Sequence, residues 1–92
     1  MRHHGSIGEV ELGSDSDFIV YGPNQGLAAE CVDLTTAKKA FRSKLAEANE
    51  RNVVSDLGIF RWSEGKWIPA VSRYEIQEWD LQRNPSRIIR YP

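Results

Sequence analysis

The chain has 92 residues, a mass of 10.5 kDa and a formal net charge of −1. That length allows one small domain with a correspondingly small core. At 40% hydrophobic and 27% charged, with nine aromatic rings of Trp, Tyr and Phe together, the composition excludes a wholly disordered chain, and no apolar run approaches the roughly 18 residues of a membrane-spanning helix.

In chain order, residues 1–16 read as a flexible acidic N-terminal arm, an edge strand at most. Ile7, Val10 and Leu12 are too sparse for a core strand, although Glu9 to Leu12 alternates. A single α+β domain is expected over 17–92. Phe18-Ile19-Val20-Tyr21 is β-branched and aromatic, and Gly22-Pro23-Asn24-Gln25-Gly26 is a turn signal. Leu27 to Val32 would return as the second strand of a hairpin.

Asp33 suits a helix N-cap, because its carboxylate can accept from free amides of the first turn. Leu34, Ala37, Phe41, Leu45 and Ala48 form one apolar stripe at helical spacing, which predicts a helix over 34–51. Glu47 and Arg51 stand i,i+4 in the favourable order. Leu57 to Trp62 and Trp67 to Val71 predict a second hairpin across a four-residue connection, Ser63 to Lys66. Trp62 would lie opposite Trp67. Pro69 has no amide hydrogen for a ladder, so its strand should lie at an edge or be bulged.

Ser72-Arg73-Tyr74-Glu75 is a capping box, which predicts a short helix over about 73–82. Asn84-Pro85-Ser86 would break it before a last strand at Arg87 to Tyr91. The expected architecture is α+β in two layers: an antiparallel sheet of two β-hairpins packed on one amphipathic helix, in the order β-β-α-β-β, with a short helix and strand after it.

Charge is divided along the chain. Residues 1–33 carry one basic and six acidic side chains, and residues 34–92 carry eleven basic and seven acidic. Such a split suits internal complementarity or association between copies. One cysteine, Cys31, forms no intramolecular disulfide, and residues 1–8 lack the apolar core of a secretory signal. Both point to a reducing, cytoplasmic setting.

Chemistry-bearing residues are few. His3 and His4 could bind copper or nickel beside a free N-terminus, but two adjacent histidines are not a closed metal site. Cys31 has no histidine in the same segment to make a thiolate and reads as core. Asp15 and Asp17 lack the further carboxylates of a calcium loop. Gly22 to Gly26 leads into a strand rather than a helix N-terminus, so it reads as a turn and not a phosphate cradle. Arg83, Arg87 and Arg90 read as a solvated basic tail. Metal and cofactor sites are therefore expected to be none.

All three tryptophans fall within eighteen residues. Arg61, Trp62, Lys66, Trp67, Tyr74 and Trp79 are the candidate partner-binding residues, an aromatic and basic mixture that suits an interaction hot spot. The competing reading puts the Trp pair in the core beneath the helix. The expected function is a small non-enzymatic module that binds a protein or pairs with a second copy. An alternative is nucleic-acid binding through Lys38, Lys39, Arg42 and Lys44 with Trp62 or Trp67 as stacking platforms. A third is a carboxylate enzyme using Glu75, Glu78 or Asp80. A membrane partner is not expected.

Overall fold

The computed structural model describes residues 2–52, 55–72 and 75. Among these residues six strands and one helix follow in the order β1 (His3–Ile7), β2 (Val10–Ser14), β3 (Phe18–Gly22), β4 (Gly26–Cys31), α1 (Leu34–Glu50), β5 (Gly58–Ser63) and β6 (Lys66–Pro69). The strands form one α+β sheet in the spatial order β2-β1-β6-β5-β3-β4. The sheet is barrel-like: its two outermost strands meet where Ser14 Oγ on β2 donates to the Glu30 carboxylate on β4.

The helix forms where its apolar stripe lies. Asp33 accepts from the Thr36 amide at 2.7 Å, which lowers the Asp33 pKa because that bond favours the charged carboxylate. Ala37, Phe41 and Leu45 are its buried residues. Glu47 takes Lys44 as its ion-pair partner, at 3.6 Å. The hairpin β3–β4 turns through Pro23, Asn24 and Gln25, and a bulge between Val20 and Tyr21 accommodates Ala28 as an extra residue.

Three expectations need correction. The stretch 1–16 is not a free arm: β1 and β2 pair antiparallel from His3↔Ser14 to Ile7↔Val10. A two-residue turn joins them, made feasible by Gly8 at φ +58°. The sheet therefore holds three hairpins rather than two, and β1 pairs in parallel with β6 at Ser6↔Lys66. A third point concerns β6, which lies inside the sheet rather than at its edge. Pro69 is tolerated there for a local reason. The Ala70 amide donates to Ile59 O at 2.8 Å, so Phe60↔Pro69 is a non-hydrogen-bonded pair and the proline nitrogen faces away from β5. On that side the ladder to β1 is confined to Ser6↔Lys66, at the other end of β6.

The second hairpin forms with Trp62 opposite Trp67, as its pattern implies. Its connection is shorter than expected. Ser63 pairs with Lys66 across Glu64 and Gly65, both at positive φ (47° and 83°), the mark of a type I′ turn. The expected helix over 73–82 and the strand at 87–91 lie outside the described residues. From that region, Ser72 Oγ accepts from the Glu75 amide at 3.2 Å, the first half of the capping box.

Neighbouring strand residues point to opposite faces, and here both faces are covered. On one, Val20, Cys31, Leu57 and Ile59 pack with Ala37, Phe41 and Leu45 of the helix. On the other, Ile19, Tyr21 and Trp67 form a second cluster with Ile7, Leu12, Phe60 and Trp62 around it. The N-terminal hairpin supplies Ile7 and Leu12 to that second cluster, and the Trp67 indole donates to Leu12 O at 3.1 Å.

Candidate functional site

The expected hot spot does not assemble on one free surface. Trp67 is 4% exposed and belongs to the second core. Trp62 is half-buried, 5.1 Å from Trp67 ring to ring, and the His3 imidazole stacks on it at 4.8 Å. The pair is therefore neither an exposed platform nor the layer beneath the helix. Arg61 and Lys66 are exposed, but Arg61 points to the opposite face from Trp62 by strand alternation. Tyr74 and Trp79 lie outside the described residues.

The nucleic-acid set is also divided. Lys38, Lys39, Arg42 and Lys44 are on α1, which covers one face of the sheet, while Trp62 and Trp67 pack on the other. Lys38 pairs with Glu75 at 3.4 Å and Lys44 with Glu47. Of the three carboxylates considered for catalysis, Glu75 is thus an ion-pair partner, and Glu78 and Asp80 fall outside the described residues. Cys31 is buried and free. Burial, and then the Asp33 charge, push its thiol pKa up, which keeps it protonated at neutral pH. The native protein should react with a thiol probe at about pH 7.5 on the order of a hundredfold more slowly than urea-unfolded protein. Similar rates would show an accessible thiol.

His3 had no structural role in the pattern of the sequence, yet its Nε2 lies 2.7 Å from Asp17 Oδ1. His4 sits 3.6 Å from Glu11. Among the described residues, no three His, Cys, Asp or Glu side chains gather as a metal site would require. No described helix is long and apolar enough to cross a membrane.

The feature that local patterns did not reveal is a cavity of about 320 Å³ at one end of the sheet. Its origin is in the register. The hairpin β1–β2 meets β6 at Lys66 and turns back at Gly8, so it covers Trp67 but stops short of Pro69. The cavity lies at that end of the sheet and is lined from both sides, by Leu57, Ile59 and Val71 of the helix-packed side as well as by Tyr21 and Phe60 of the second core. Tyr21, Phe60 and Pro69 wall the opening, with Pro23, Ser55 and Asp56 at its polar side. The Tyr21 and Phe60 rings meet edge to face at 6.1 Å and 71°, a favourable aromatic geometry. Leu27 pairs with Tyr21 across the ladder and is 39% exposed, beside the cavity rather than in its lining.

Asp56 is the charged residue of this lining. Its Oδ2 accepts from the Asn24 amide at 2.7 Å and so ties the β3–β4 loop to the start of β5. Its Oδ1 is buried and has no hydrogen-bond partner among the described residues. Gly22 lets the carboxylate approach: a Cβ there would stand 2.6 Å from Oδ1.

No family model, curated protein or solved structure matches this chain. The site therefore has to be read from its own chemistry.

Proposed function

We propose that this domain is a non-enzymatic interaction module that takes an extended segment of another protein along β4 and seats one of its side chains in the open mouth of the sheet. The observation that carries this reading is the cavity walled by Tyr21, Phe60 and Pro69, with the exposed Leu27 of β4 paired to Tyr21 beside it. Pockets of about 300–1,000 Å³ with mostly apolar walls and few polar groups are the usual form of a binding site, and this one is at the small end, suited to one side chain. Among the described strands β4 is outermost, and at its Gly26–Leu27 end, away from the contact of Glu30 with β2, its outer amides and carbonyls can pair with an added strand. In such recognition the ladder supplies affinity and the pocket supplies specificity. The aromatic-rich hairpin β5–β6 contributes through Phe60 and Pro69 at this end, while its tryptophans hold the second core at the other.

The test is selection of a random linear peptide library on the wild type and on Pro69→Trp, an exposed position where a large ring would cap the mouth. The expected result is a set of clones that bind the wild type and lose at least about tenfold in affinity on the variant, at unchanged melting temperature. If no clone distinguishes the two proteins, the mouth is not a protein-binding site.

A further inference from the structure

We infer that the side chain accepted by this mouth is cationic, a lysine or arginine of the partner segment. The inference rests on the reading just given and adds the chemistry of its ligand.

Charge balance comes first. Asp56 lines the cavity, and no lysine, arginine or histidine does. None of the ion pairs of the described residues involves Asp56. The nearby cations Lys44 and Arg51 line a separate recess with Gln25, Glu47 and Ala48, against the helix. Among the described residues, then, no neighbouring cation pairs with the negative charge at the mouth.

Burial makes that charge more effective. Oδ1 packs over Gly22, out of contact with solvent, and a charge so placed is screened by salt far less than a surface one. A buried carboxylate oxygen with no donor is costly to the free protein. Oδ1 lies beneath the cavity surface, so a cation entering the cavity would act on the carboxylate through space and offset part of that cost, whereas an apolar guest would not. The Asn24 amide fixes the carboxylate through its other oxygen, so the charge is held in place rather than swinging into water.

The walls suit the stem and the head of such a side chain. Lysine and arginine carry an apolar chain that packs along Phe60 and Pro69, with the charge at its end. Tyr21 and Phe60 offer aromatic rings, whose electron-rich faces attract a cation. A second source of selection is the outer strand. Residues 1–33, which include all of β4, carry the excess acidic charge of the chain, and this favours a basic segment over an acidic one at encounter.

The experiment uses the clones that distinguish the wild type from Pro69→Trp. Each lysine or arginine in them is replaced by norleucine, and binding of the labelled peptides is followed by fluorescence polarisation on the wild type and on Asp56→Asn. Asparagine keeps an oxygen for the Asn24 amide but removes the charge. The expected result is one basic residue common to the clones, whose replacement costs about tenfold or more, with a similar loss on Asp56→Asn. Binding to the wild type should also weaken several-fold between about 50 and 500 mM NaCl, a readout that needs no variant to fold. Clones without a basic residue, or affinity indifferent to Asp56 and to salt, would overturn the cationic ligand and leave the mouth as a protein site. The absence of any discriminating clone would remove both.

Discussion

Trp67→Ala should leave the domain largely unfolded near body temperature. Trp67 is 4% exposed, packs with Ile19 and Tyr21, and stands 5.1 Å from Trp62. Truncating a buried large aromatic costs about 3–5 kcal/mol, against about 5–15 kcal/mol of total stability for a domain. In so small a core the loss takes most of the margin. Trp67→Phe separates two contributions. It keeps most of the apolar contact but removes the indole donor to Leu12 O, a bond worth about 1 kcal/mol. Urea unfolding followed by far-ultraviolet circular dichroism would order the proteins as wild type, Phe variant, Ala variant. A midpoint for Trp67→Ala close to that of the wild type would show that the second core contributes little.

That dependence on Trp67 explains which parts of the fold were legible. The helix at Leu34–Glu50, its cap at Asp33 and the Trp62↔Trp67 pairing come from spacings within a few residues, and such patterns are visible in a single sequence. The burial of Cys31 agrees with its apolar strand. The N-terminal hairpin is different. Its cue is a pair of glycines: Gly8 turns the chain, and Gly5 admits the β5–β6 turn, since a Cβ at Gly5 would run into the Gly65 carbonyl and stand 2.7 Å from the Trp62 ring. Neither glycine means much until Trp67, fifty-five positions beyond Leu12, is brought beside it. The same holds for the cavity. Tyr21 and Phe60 were visible as strand aromatics, but Asp56 sits between predicted elements and gains its role through Gly22 and Asn24. The opening itself is a consequence of where one hairpin stops, a matter of register that no local pattern encodes.

Removing residues 1–14 should have an effect comparable to losing Trp67, and it tests the largest departure from the sequence-based expectation. Were this stretch a flexible arm, its deletion would leave stability unchanged. In the structure it supplies Ile7 and Leu12 to the second core, the acceptor for the Trp67 indole, and the His3 ring stacked on Trp62. Without it, Ile19, Tyr21 and Trp67 would face water on one side of a sheet whose other side packs against α1. The expected result is tryptophan emission shifted to the red, binding of a hydrophobic dye, and a melting temperature lower by more than about 10 °C; a domain of this size loses roughly 4–8 °C per kcal/mol. Gly5→Val offers a version with the full chain present. The added carbons would meet Gly65 O and the Trp62 ring, prying the hairpin away from β5 and β6 at a cost of about 1–3 kcal/mol. Deletion and substitution should then shift the emission in the same direction, the deletion further. A deletion variant as stable as the parent would mean that the barrel-like closure is dispensable, and that the helix-packed face alone holds the fold.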